Sequence, residues 1–97
     1  MSSVKHRLKV PHDLVQLVRK LHPAIKKKIR DSLDMIVEDP LAGKPLKDEF
    51  EGLRSFRVSR FRIVYRYEEG KHIEIVTIGP RKSIYIETYR RLHMGKA

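Results

Sequence analysis

Leu53-Arg54-Ser55-Phe56-Arg57-Val58-Ser59-Arg60-Phe61-Arg62-Ile63-Val64-Tyr65-Arg66-Tyr67 alternates apolar and cationic residues on either side of Ser59-Arg60. A period of two predicts two antiparallel strands, Leu53–Val58 and Phe61–Tyr67, joined at Ser59-Arg60. If Val58 pairs with Phe61, Arg57 lies opposite Arg62 and Phe56 opposite Ile63. Phe56, Val58, Phe61, Ile63 and Tyr65 then share a core face, while Arg57, Arg62 and Arg66 share the other. Like charges directly opposite in a sheet cost about a few tenths of a kcal/mol or more, and a bound phosphate would relieve that repulsion. Arg54, Arg57, Arg60, Arg62 and Arg66 all fall between Glu51 and Glu68 with no acidic residue among them. Guanidinium groups are permanently charged, planar donor forks that suit phosphate.

Outward from this hairpin, Glu69-Gly70-Lys71 reads as a turn and residues 72–78 as a third strand, with Ile73, Ile75 and Thr77 on one side. Gly79-Pro80 closes that strand. Ile84, Tyr85, Thr88, Tyr89 and Leu92 fit a C-terminal helix. Toward the N-terminus, residues 6–10 read as a strand ended by Pro11. Leu14, Leu17, Val18 and Leu21 recur at helical spacing. Pro23 opens a second helix, with Ile25, Ile29, Leu33 and Ile36 on one face, which stops at Asp39-Pro40. Residues 41–52 form a connector anchored by Leu46 and Phe50. The order βααβββα predicts one α+β domain over residues 1–97: an N-terminal strand and αα-hairpin packed on a mostly antiparallel sheet, with a short C-terminal helix.

The 97 residues carry 22 Lys and Arg against 12 Asp and Glu, a net charge of +10. So large a surplus on so small a body predicts a polyanionic partner. Without cysteine there are neither disulfides nor thiolate metal sites. His6, His12, His22, His72 and His93 lack metal-ligand spacing, so neither metal nor cofactor is expected. No apolar run approaches the ~20 residues of a membrane span, and no signal-peptide pattern opens the chain, so a cytoplasmic protein with no membrane partner is expected. Arg81 and Lys82 follow the third strand, and Tyr85 lies one turn beyond Arg81 if the helix begins there. An arginine-rich surrounding favours phenolate, which would suit Tyr85 to act as a base.

The hairpin from Leu53 to Tyr65, followed by Val76-Thr-Ile-Gly-Pro-Arg-Lys-Ser-Ile-Tyr85, resembles the RelE/ParE superfamily of toxin–antitoxin toxins. The N-terminal strand, the helical hairpin and the Pro45-Leu46-Lys47 connector agree with it. In the RelE branch the resemblance implies a ribosome-dependent endoribonuclease that cleaves mRNA in the A site without metal, through attack of a ribose 2′-hydroxyl on the adjacent phosphate. It further implies a cognate acidic antitoxin, with the ribosome and mRNA as the other partners. Carried over by position, Arg57 contacts the reacting phosphate, Arg62 stabilises the transition state, Arg81 is general acid or phosphate clamp, and Tyr85 activates the 2′-hydroxyl. Arg54, Arg60, Arg66, Lys47 and Lys82 are expected along the RNA backbone. Ser59 replaces a second basic residue of the family, and Pro80 stands where many relatives carry histidine. A ParE-like gyrase inhibitor and a catalytically weak RNA-binding relative remain alternative readings.

Overall fold

A computed structural model describes residues 6–70 and 72–94. Its elements are β1 (Leu8–Lys9), α1 (His12–Arg19), α2 (Pro23–Glu38), β2 (Lys44–Pro45), β3 (Leu53–Val58), β4 (Phe61–Tyr67), β5 (Ile73–Pro80) and α3 (Ile84–Met94), with a short 3₁₀ turn at Asp48–Phe50. The strands form one sheet in the order β1-β5-β4-β3-β2, antiparallel except for β1 alongside β5. The α+β class and helical hairpin match the expectation. The N-terminal strand is shorter than expected, while β5 runs on through Gly79 and Pro80.

The central hairpin has the register its sequence predicts: Val58 opposite Phe61, Arg57 opposite Arg62 and Phe56 opposite Ile63. Ser59 takes a positive φ of 55° in the two-residue turn, a conformation that matches the strand twist of tight hairpins. Gly70 takes φ 79° in the following turn; Lys71 lies outside the described residues.

One face of the sheet is covered by α1 and α2. Leu14, Ile29 and Ile36 pack there on Val58, Ile63, Tyr65, Ile73, Ile75 and Ile78. Pro23 sits in the first turn of α2, where its missing N–H costs nothing. His22 Nδ1 accepts the Ala24 N–H at 3.1 Å, capping the helix.

The opposite, arginine-bearing face is also covered. Leu53, Val64 and Val76 pack on Ile84 of α3, joined by Leu46, Phe50 and Leu92. An irregularity between Val64 and Tyr65 brings Tyr65 opposite Ile75 and Val64 opposite Thr77. Val76 is the extra residue on β5, so Thr77 faces away from Ile75, contrary to the expected grouping. Ile78 takes the third place on the α1–α2 side. The apolar run Ile73-Glu74-Ile75-Val76-Thr77-Ile78 serves two cores, one on each face, and needs the bulge to do so.

Candidate nucleic-acid interface

The Ser59-Arg60 turn is held to the end of β5 by the Arg81 N–H, which donates to the Arg60 carbonyl at 2.8 Å. That bond brings two distant cationic segments together. Arg57, Ser59, Arg60, Pro80, Arg81 and Lys82 line one open cleft of about 480 Å³. Arg62 flanks it from β4, opposite Arg57 on one side and Gly79 on the other. Its Nη1 donates to Ser55 Oγ at 3.2 Å, which orients the guanidinium along the sheet. Among the described residues, none of Arg57, Arg60, Arg62, Arg81 and Lys82 pairs with a carboxylate. Side-by-side cations that no carboxylate pairs with create a field that favours an anion.

Other predicted site residues lie elsewhere. Arg66 shares the sheet face of Arg57 and Arg62, but four residues along β4 from Arg62, roughly 13 Å at the usual rise per residue. There it stands opposite Glu74 and pairs with it at 3.2 Å. Arg54 projects from the other face, opposite Tyr65, and donates from Nη1 to the carbonyls of Gly43 (2.7 Å) and Leu41 (3.3 Å). It fastens the connector. Lys47 is exposed just before the 3₁₀ turn and is not part of the cleft lining.

Tyr85 also lies outside the cleft. The helix begins at Ile84, with Arg81 in the turn before it, so the premise that put Arg81 and Tyr85 on one helical face does not hold. The Tyr85 ring, 43% exposed, stacks on Phe50 with centroids 5.9 Å apart. It lines a separate hollow with Glu49, Phe50, Ile86, Tyr89 and Arg90.

Lys44 pairs opposite Ser55, so it leaves the sheet on the Arg57 and Arg62 face, but like Lys47 it is not part of the cleft lining. The connector's glycines and proline concealed the two-residue strand that places it there.

A buried polar device holds that connector in position. The Tyr65 hydroxyl, wholly buried, donates to the Pro40 carbonyl at 2.7 Å and accepts the Gly43 N–H at 2.8 Å. A Cβ on Gly43 would lie 2.5 Å from that hydroxyl, so only glycine permits the contact. Burial pushes the Tyr65 phenol above its ordinary value, opposed by the Gly43 amide. At the far edge, Asp13 of α1 receives a two-pronged bond from Arg91 of α3, which holds the Asp13 carboxyl below its ordinary value. Two of the histidines make packing contacts: His6 reaches Tyr67 and the Val37 carbonyl, and His93 stacks on Tyr89.

The family model described as the ParE toxin of type II toxin–antitoxin system, parDE, matches residues 4–85. Toxin RelE of Mycobacterium tuberculosis is 43% identical over 44 residues, 44% of this chain and 45% of that relative, so the match spans less than half of its length. The RelBE2 toxin–antitoxin complex of Mycobacterium tuberculosis superposes with a TM-score of 0.71 at 24% identity, covering 82% of this chain and 95% of that one. A mutant of the E. coli toxin RelE in the free state gives 0.71 at 18% identity, covering 92% and 99%. The archaeal RelE–RelB complex from Pyrococcus horikoshii gives 0.67 at 22%, covering 80% and 97%. These structures establish a RelE-like fold, and the family match establishes descent: the chain belongs to the ParE toxin family of type II toxin–antitoxin systems, within the RelE/ParE superfamily.

Proposed function

We propose that this chain is a single-domain toxin that cleaves mRNA in the ribosomal A site. The observation that carries the reading is the cleft of Arg57, Arg60, Arg81 and Lys82 with Arg62 at its flank, cations without carboxylate partners among the described residues. In-line attack of a 2′-hydroxyl on the neighbouring phosphate concentrates negative charge on the non-bridging oxygens. Fixed guanidinium groups stabilise that charge without reorganising. Arg57 and Arg81 hold the reacting phosphate, and Arg62, steadied by Ser55, meets the charge that develops. Arg60 and Lys82 hold flanking phosphates. The products are a 2′,3′-cyclic phosphate and a 5′-hydroxyl. Tyr85, stacked on Phe50 outside the cleft, has no part in this reading.

An acidic antitoxin laid over the same cations would silence the toxin, and two of the solved relatives are toxin–antitoxin complexes. A ribosomal target places the protein in the cytoplasm. Primer extension on a translated message tests the reading. In-frame cuts by the wild type, lost in Arg62→Ala and Arg81→Ala, are expected; absent cuts, or cuts undiminished in both variants, reject it. The ParE family match over residues 4–85 favours a second reading, inhibition of DNA gyrase. Gyrase-linked DNA breaks with intact mRNA would select it.

A further inference from the structure

Arg57, Arg62 and Gly79 are successive partners across β3, β4 and β5, so they form one row on the face that α3 covers. Neighbouring positions in such a row are about 5 Å apart. Above the third position there is a carboxylate: a Cβ on Gly79 would lie 2.5 Å from Glu87 Oε2. Glu87 is partly buried in the first turn of α3, and its Oε2 accepts from Ser83 Oγ at 3.2 Å. Among the described residues it makes no ion pair, although two arginines belong to the same row. One oxygen is thus held by a hydroxyl and lodged over a glycine, and the other is left unengaged.

An acidic residue in a first helical turn complements the helix dipole, a sufficient reason for some carboxylate near this place. That reason does not require leaning over β5, nor a neighbour without a side chain. A proton acceptor beside a phosphate-holding cleft requires both. It must lie close to the cations yet escape being locked to one of them.

We propose that Glu87 is a catalytic residue, the general base that accepts the 2′-hydroxyl proton. This rests on the endoribonuclease reading of the cleft. The proton passes from O2′ to the Glu87 carboxylate while O2′ forms its bond to phosphorus and the P–O5′ bond breaks. The departing 5′-oxygen, its charge stabilised by Arg81, takes a proton from water, because guanidinium groups keep theirs. The resulting hydroxide takes the proton held by Glu87, so the net change is an isomerisation of the RNA into two products.

Single-turnover cleavage of a defined message on translating ribosomes tests the assignment. Glu87→Gln is expected to slow cleavage by about a hundredfold or more, the usual scale for a lost general base, with ribosome binding and thermal melting unchanged. Glu87→Ala is expected to regain cleavage when formate is added, since a free carboxylate can enter the space. Ser83→Ala, which removes only the hydroxyl that holds Oε2, is expected to lose about tenfold or less. Glu87→Gln cleaving within about threefold of wild type overturns the assignment and leaves the endoribonuclease reading standing. Loss in Glu87→Ala without formate rescue overturns it in favour of a structural role. No cleavage by the wild type overturns both.

Discussion

The two ends of the arginine-bearing sheet face start from the same residue type and finish with opposite electrostatics. At one end Arg66 meets Glu74 across the ladder and is neutralised, with the Arg91–Asp13 pair nearby completing a charge-balanced edge. At the other, Arg62 meets Gly79 across the same ladder, and Arg57, Arg60, Arg81 and Lys82 gather around an open cleft. The difference is the side chain that β5 presents opposite each arginine. A carboxylate makes the arginine structural; a glycine leaves it available to a ligand. α3 divides the two ends by covering Val64 and Val76 between them.

Breaking this contrast at the open end gives the largest expected effect. Arg62→Ala or Arg81→Ala should lower message cleavage by about a hundredfold or more, the scale of removing one preorganised donor to a developing oxyanion. Arg66→Ala at the paired end should stay close to wild type in the same primer-extension assay. Equal losses at both ends would show that the paired arginine also meets RNA.

A comparison of two tyrosines sharpens the contrast between frame and surface. Tyr65→Phe leaves the Gly43 N–H and the Pro40 carbonyl without their buried partner, so chemical denaturation should report a loss of about 1–3 kcal/mol. Tyr85→Phe removes a hydroxyl from a half-exposed ring and should leave both stability and cleavage nearly unchanged. The Tyr65 pair also has a pH signature. Its folded value is raised above the ordinary 10.0, so the unfolded chain ionises first. Native stability therefore falls as pH rises past that value, and the fall should be shallower in Tyr65→Phe.

Salt dependence reads the two ends in binding instead of catalysis. If Arg57 contacts one phosphate, Arg57→Ala should reduce the salt slope of RNA affinity by about one, whereas Arg66→Ala should not change it. The smallest effect is expected at the balanced edge. Asp13→Asn loses an exposed ion pair worth about 0.5 kcal/mol or less. Because the folded Asp13 carboxyl is held below its ordinary 3.8, that contribution is present above this value and lost as pH falls below it. Urea midpoints of the two proteins should differ slightly near neutral pH and converge in acid.

The three pairings nearest the hairpin turn were legible, because a period of two and a two-residue turn leave one register that packs Phe56, Val58, Phe61 and Ile63 on one face. The helical hairpin was legible for a similar reason: its apolar stripes and prolines mark face and boundary alike. β5 was less legible. Its alternation stops at Ile75-Val76, where the apolar residues become adjacent, so neither the bulge at Val76 nor the switch of Thr77 to the second face could be read from it. Lys44 was hidden in a connector whose two-residue strand forms only by pairing with β3. Tyr85 was misplaced because α3 starts three residues later than its helical spacing from Arg81 assumes.

Composition determined the excess of positive charge, and local periodicity the order of elements and the pairing of Arg57 with Arg62. That order and pairing follow from interactions between near neighbours, which spacing records directly. Which cations remain open, which are neutralised, and where Glu87 and Tyr85 point were decided only when β5 and α3 closed over the hairpin. Such relations join residues far apart in sequence, and the positions that settled them, Gly79 and Glu74, acquire their meaning only from the arginines set beside them.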